Sequence, residues 1–252
     1  MKNSKKLGIK TICTHVGEVK DEQFKGAISP IYMSTSYAFD DVDVKRYPRY
    51  FNTPNQEMLC KKIAALEKTE DALIFGSGMA AISSTLFAFL GKGDHVIIQQ
   101  NIYGGTYNLV VKEFERFGIE HTFTTSDAIE DFEKLIQSNT KILYIETPSN
   151  PLLTITDMKA IGDLAKEKGI ITMIDNTFAS PINQNPADFG IDIMMHSATK
   201  YMGGHSDILA GAVAGSKKHI AKIWETAINF GGSLSDFTIW MLERSLKTLN
   251  LR

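Results

Sequence analysis

Asp192–Gly204 reads DIMMHSATKYMGG, with Lys200 at its centre. The apolar run Ile193–Met195 has the length of a short buried strand, and it delivers Ser197, Thr199 and Lys200 onto the loop at that strand's carboxyl end. Lysine is seldom buried, so a lysine directly after a core strand and beside two hydroxyls has two readings. It is either a solvated strand end or an amine held in a site, ready to condense with a carbonyl group.

Outward from this stretch the pattern repeats. Helical periodicity over Asn55–Glu67 puts Met58, Leu59, Ile63 and Leu66 on one face, ahead of a strand at Ala72–Phe75. Helices predicted at Gly78–Leu90, Thr106–Phe117, Asp127–Gln137 and Asp157–Glu167 lead to strands at His95–Gln99, His121–Thr124, Ile142–Ile145 and Ile170–Ile174. The strands Ile193–Met195 and Ala210–Ala214 complete the series. Seven short apolar strands, mostly separated by amphipathic helices, predict an α/β fold with a mostly parallel seven-stranded sheet covered on both faces.

Residues 1–55 lack sustained periodicity and carry Gly26, Pro30 and the cluster Ser34–Ser36, so they are expected to form an extended arm. An irregular segment of that length points to contact with a neighbouring subunit. Residues 56–252 then form the large domain.

The bulk composition narrows the function. A formal charge of -2 and a pI near 6.3 give no electrostatic case for nucleic acid or an anionic membrane, which leaves a small molecule as the expected partner. Cys13 and Cys60 have neither metal-type nor redox-motif spacing, so no metal site is expected and a reducing, cytoplasmic location is. The basic start MKNSKK is followed by polar residues before a signal-length apolar region forms, and no run approaches the roughly 18 apolar residues of a membrane span.

Four polar clusters follow strands directly: Gly76-Ser77-Gly78, Glu146-Thr147-Pro148-Ser149-Asn150, Asp175-Asn176-Thr177 and Ser197–Lys200. Ligands of open α/β sheets bind outside the carboxyl ends of strands, so the four are expected to converge on one pocket. At Gly76–Met79 the unpaired N–H groups of a helix start suit a phosphate, although a tight turn explains the glycines equally well; no dinucleotide or P-loop pattern is present. Asp175 ends an apolar strand, where a carboxylate calls for a cation or serves as a helix N-cap.

The cation reading fits the cofactor pyridoxal 5'-phosphate (PLP), whose protonated pyridine nitrogen pairs with a carboxylate and whose aldehyde takes a lysine. Tyr103, beside Gly104 and Gly105, is either a ring that stacks on a ligand or a core tyrosine. Tyr47 and Arg49, at the end of the arm, are either surface residues or donors that complete a phosphate cup in a neighbouring subunit.

The ordered set YPRYFN, GSGMAA, IYGGT, ETPSNP, DNTFASP and HSATKYMGGHSD closely resembles the Cys/Met-metabolism family of PLP-dependent enzymes, from about His15 to Arg252. That family includes cystathionine synthases and lyases, methionine γ-lyase and homoserine-ester sulfhydrylases. The resemblance implies the large domain of an aspartate aminotransferase-like, fold type I, PLP-dependent transferase. It implies that Lys200 forms the internal aldimine and later moves the Cα proton, that Asp175 pairs with the pyridine nitrogen, and that Tyr103 stacks on the ring.

By the same resemblance Ser77, Gly78, Met79, Ser197 and Thr199 hold the phosphate, Tyr47 and Arg49 reach it from a neighbouring subunit, Asn150 lies near the 3-oxygen, and Glu146 belongs to the shell of the site. The implied activity is trans-sulfuration-type β/γ-elimination or γ-replacement on cystathionine- or homoserine-ester-like amino acids. A homotetramer built from two active dimers and a role in methionine and cysteine metabolism accompany it.

The chain also departs from the family pattern. It reads Asn52-Thr53-Pro54-Asn55 where Asn-Pro-Thr is usual, and Ser245 follows Arg244 where glycine is common. Gly105 stands where methionine γ-lyases carry cysteine, which weighs against that activity. The ETPSNP motif looks lyase- or synthase-like, whereas IYGGTYNL points toward O-acetylhomoserine sulfhydrylase. Family chains continue beyond this one's Arg252 into a smaller C-terminal domain that supplies the arginine for the substrate's α-carboxylate. The chain is therefore expected to be truncated, to bind PLP, and to position substrate poorly. The rival from another class is a catalytically incomplete PLP-binding or assembly fragment; a nucleotide-binding domain would leave Lys200 and Asp175 without a shared purpose.

Overall fold

The structure, a computed structural model, describes residues 7–252; residues 1–6 of the expected arm lie outside the described residues. The seven expected strands are present as β1 (Asp71–Phe75), β2 (His95–Ile98), β3 (Glu120–Phe123), β4 (Thr140–Glu146), β5 (Ile171–Asp175), β6 (Ile193–His196) and β7 (Gly211–Gly215). They form one sheet in the order β1-β7-β6-β5-β4-β2-β3. The pairs among β2 to β6 are parallel, and β7 runs antiparallel to both of its neighbours. Because β7 opposes both β6 and β1, β1 points the same way as the rest, and six carboxyl ends share one edge of the sheet.

Helices cover both faces. They are α1 (Ile9–His15), α2 (Pro54–Glu67), α3 (Gly78–Phe89), α4 (Gly104–Glu113), α5 (Ile129–Leu135), α6 (Met158–Lys168), α7 (Ser180–Asn183), α8 (Lys217–Phe230) and α9 (Asp236–Leu246). Alternate strand residues face opposite sides, as the pleat requires. Ile142 and Tyr144 pack with residues of α3, α4 and α8, whereas Leu143 and Ile145 pack with residues of α5 and α6. Ile74, Ala212 and Ala214 meet α2 and α9 on that second side. Both faces being covered, the central strands read as continuous apolar runs rather than as alternation.

Local chemistry fixes the helix starts near the site. Thr53 and Gln56 form a capping box on α2, with Pro54 at the first helical position. Ser77 caps α3 by accepting from the Ala80 N–H at 3.0 Å.

Some boundaries differ from expectation. The helix expected over Thr106–Phe117 is α4 followed by a 3₁₀ turn, Glu115–Phe117, closed by Gly118 at φ 67°. The helix expected over Asp127–Gln137 shortens to Ile129–Leu135, because the Asp131 carboxylate accepts from the N–H groups of Thr125 and Ser126 and makes the preceding residues a turn. Helix α1, seven residues long, interrupts the expected arm and buries Cys13 against α2; it is too short to register as a periodicity. Residues 17–47 carry no helix or strand. Helices α8 and α9 follow the last strand that the sequence reading assigns. Among the described residues no helix is long and apolar enough to cross a membrane.

Candidate active site

The carboxyl ends of β1, β4, β5 and β6 open onto a cavity of about 790 Å³. Of the twelve residues given a role at the site from the sequence, all but Tyr47 and Arg49 line it: Ser77, Gly78, Met79, Tyr103, Glu146, Asn150, Asp175, Ser197, Thr199 and Lys200. The expected convergence of the four clusters is therefore met.

One end of the cavity is an anion cradle. The Gly78 and Met79 N–H groups, the first two of α3, have no intrahelical acceptor. The Ser77 hydroxyl accepts from Ala80, which leaves its own proton free to donate. The helix start lies close against the β6 loop: a Cβ added at Gly78 would come within 2.7 Å of Ser197 Cβ and 2.9 Å of its Cα. Only glycine allows this approach. The Thr199 hydroxyl is engaged with Ala210, the residue before β7, donating to its carbonyl at 3.1 Å and accepting from its N–H at 3.0 Å. Ser77 and Ser197 are thus the hydroxyls with protons available to an anion, and Thr199 must turn to join them.

Lys200 extends from the loop after β6, where its N–H bonds to the Ser197 carbonyl at 3.1 Å. The side chain is exposed, and among the described residues Nζ has neither a hydrogen-bond acceptor nor an ion-pair partner. Of the two sequence readings, the structure combines parts of both: the amine faces the cavity, and the cavity is open to solvent.

Opposite lie two carboxylates. Glu146 and Asp175 are register partners at the ends of the parallel strands β4 and β5, and both are buried. Asp175 Oδ1 accepts from the Thr177 N–H at 3.0 Å. Burial raises its pKa, and the Thr177 hydrogen bonds and His196 oppose the rise. Glu146 Oε2 accepts from the Tyr103 N–H at 2.6 Å and Oε1 from the Asn150 N–H at 2.9 Å. It therefore ties together the two loops that carry Tyr103 and Asn150. Burial first, and then the neighbouring Asp175 charge, push Glu146 up to about 7, against the pull of those two N–H groups.

This pair gives a pH prediction. Between about pH 4.5 and 7 the folded protein retains protons that the unfolded chain has released, so its stability without ligand falls as pH rises through that window. The expected loss is on the order of 2 kcal/mol, read as the difference in urea unfolding between pH 5 and pH 7.5. The Glu146→Gln variant should show a flatter profile; an unchanged slope would assign the proton elsewhere.

Tyr103 is half-exposed at the cavity mouth. A Cβ at Gly105 would come within 2.4 Å of a Tyr103 ring carbon and 2.9 Å of the Met79 sulfur, so Gly105 leaves the ring its place. Tyr47 and Arg49 are elsewhere. Tyr47 precedes the 3₁₀ turn Pro48–Tyr50 and Arg49 is its middle residue, with Arg49 donating to the Ile228 carbonyl of α8 and Trp224 donating to the Tyr50 carbonyl at 2.7 Å.

Eight lining residues did not figure among the sequence candidates, Thr177, Phe178 and Tyr201 among them. Thr177 accepts from the Ser197 N–H at 2.7 Å and so joins the β5 and β6 loops; its place in the Asp175-Asn176-Thr177 cluster was its only signal. Phe178 and Tyr201 meet edge to face, ring centroids 6.2 Å apart, and form an aromatic wall with no pattern in the sequence to mark it.

The residues fit PLP by the chemistry of their donor set: a glycine-lined anion cradle, an amine, an aromatic ring and a buried carboxylate with one oxygen left for a cation, all on one cavity. Comparison with known proteins agrees. The profile of the family described as Cys/Met metabolism PLP-dependent enzyme matches residues 10–252. The chain is 44% identical over 232 residues to the cystathionine beta-lyase MetC of Bacillus subtilis, covering 90% of this chain and 59% of the relative. It is 42% identical over 247 residues to the cystathionine gamma-lyase of the same organism, covering 96% and 65%. The crystal structure of cystathionine gamma-lyase from Lactobacillus plantarum complexed with L-serine superposes with a TM-score of 0.93 at 36% identity, covering 98% of this chain and 65% of that one. The chain thus spans about three fifths to two thirds of the length of these relatives.

Proposed function

The chain belongs to the Cys/Met metabolism PLP-dependent enzymes, and from that premise we propose that its cavity binds PLP for trans-sulfuration-type elimination or replacement on cystathionine- or homoserine-ester-like amino acids. The carrying observation is the convergence of Lys200, Asp175 and the Ser77–Met79 helix start on one cavity. When bound, PLP supplies an electron sink for the substrate's Cα. The chain's own residues do the rest. Lys200 would hold the aldehyde and move the Cα proton, Asp175 would pair with the pyridine nitrogen and keep it protonated, and Tyr103 would bear on the ring. Ser77, Gly78, Met79, Ser197 and, after rotation, Thr199 would hold the phosphate and Asn150 would serve the 3-oxygen, while Glu146 braces the Tyr103 and Asn150 loops.

Tyr47 and Arg49 are unused in the chain's own cavity, which supports their acting in a neighbouring subunit's site, within a homotetramer of two active dimers. The near-neutral charge supports a small amino-acid substrate, and the free thiols of Cys13 and Cys60 support a cytoplasmic enzyme. Lyase or synthase action is preferred to O-acetylhomoserine sulfhydrylase action on the ETPSNP loop, and to methionine γ-lyase action on Gly105. The test is assay of the PLP-loaded protein with L-cystathionine and with O-acetylhomoserine. Turnover of L-cystathionine supports the reading. Turnover of O-acetylhomoserine with sulfide alone moves it to the sulfhydrylase, and saturable PLP binding without turnover of either moves it to a PLP-binding fragment.

A further inference from the structure

Beneath the cavity floor lies a buried polar cluster with no part in the chemistry above. Glu67, the last residue of α2, is fully buried, and its Oε1 takes two donors. One is Nε2 of His196, the last residue of β6, itself 2% exposed. The other is the Asn176 side-chain amide at 3.0 Å, one residue beyond the end of β5. Its Oε2 is buried without a partner. A carboxylate so enclosed is costly unless strongly hydrogen-bonded, so these two donors sustain it.

The residues it holds have neighbours in the site. Asn176 follows Asp175, and His196 precedes Ser197. On the cavity side the same two loops are tied again, by Thr177 accepting from the Ser197 N–H at 2.7 Å and donating its own N–H to Asp175 at 3.0 Å. The loops are laced from above by Thr177 and from below by Glu67. The Asn176 side chain has further partners in Gln184, whose amide donates back to Asn176 Oδ1 at 2.9 Å, so its orientation is fixed independently.

We propose that Glu67 is a positioning residue for the cofactor site: from the far end of α2 its carboxylate clamps the ends of β5 and β6, and thereby sets where Asp175 and Ser197 stand relative to each other. The clamp needs the charge as well as the shape, since hydrogen bonds to an ionised acceptor are about twice as strong as neutral ones. The PLP readout below rests on the proposed function; the exchange readout does not.

The experiment compares the parent protein with Glu67→Gln, which keeps an acceptor oxygen in the same place, and with Asn176→Ala, which cuts the tie to β5 together with the two hydrogen bonds to Gln184 and leaves the His196 tie to β6. Amide hydrogen exchange is measured without ligand. The expected result is about tenfold faster exchange at Thr177 and Ser197, the size of one lost charge-assisted hydrogen bond, with Val96–Ile98 of β2 unchanged. PLP affinity, titrated by absorbance, should weaken by a similar factor. Should Glu67→Gln fail to unfold cooperatively, Asn176→Ala carries the same readouts. Unchanged exchange at Thr177 and Ser197, or acceleration spread equally to β2, overturns the clamp and leaves Glu67 a general stabiliser. If the parent takes up no PLP, the proposed function fails, and the exchange pattern alone decides the clamp.

Discussion

Replacing Lys200 by alanine is expected to lower kcat by about a thousandfold or more, the range lost with a group that both forms the covalent link and moves the proton. Lys200 is the sole lysine lining the cavity among the described residues, so no second amine stands ready to substitute. Borohydride reduction of the PLP-loaded parent followed by peptide mapping should put the pyridoxyl label on Lys200 and nowhere else. A Lys200→Ala protein that turns over substrate at the parental rate would sink the assignment. The same variant tests the arm. Arg49 is anchored on α8 outside its own chain's cavity, so the Arg49→Ala protein should also be impaired. Mixing the two inactive proteins under conditions that exchange subunits should restore activity, because some interfaces then pair an intact lysine with an intact arginine. Absence of recovery despite exchange would return Arg49 to a role within its own chain.

Most of this site was legible because its parts are chemically distinctive and sit directly after apolar strands. Ser77, Glu146, Asp175 and Ser197 could be placed by the rule that carboxyl ends of strands face the ligand, and the structure brings them together on that edge. The solvent exposure of Lys200 was not legible: a strand-end lysine reads as buried or solvated until the openness of the cavity is known. Thr177, Phe178 and Tyr201 were missed because their place on the wall depends on how the loops after β5 and β6 fold, which no periodicity encodes. Glu67 is the sharpest case. In sequence it is one acidic residue at the end of a helix, a position ordinarily solvated, and only the packing of α2 under the sheet edge reveals it as fully buried beneath Asp175 and Ser197. Helix α1 escaped notice for a different reason: a single buried residue, Cys13, leaves no pattern in seven residues.

Asparagine at position 175 should separate a cofactor partner from a loop cap. Asp175 Oδ1 accepts one hydrogen bond from the Thr177 N–H, a service that the asparagine carbonyl performs equally well. If capping were its whole role, Asp175→Asn would be silent. As the partner of a pyridine nitrogen its charge is indispensable, and turnover is expected to fall by about a hundredfold or more while PLP still binds. Stability should move the other way. Asp175 is buried beside Glu146, and its charge makes ionisation of Glu146 harder. Removing one charge relieves that repulsion, so above pH 7 the unliganded variant should be more stable than the parent by about 1 kcal/mol. It should also bring the Glu146 pKa down from about 7 and shift the pH-dependent loss of stability to lower pH. Urea unfolding at pH 8, with and without PLP, checks both signs. A variant less stable without PLP yet fully active would mean that Asp175 supports the loop and the pyridine nitrogen finds its counter-ion elsewhere; one more stable but crippled would mean that the buried charge is kept, at a cost to the fold, for the cofactor it faces.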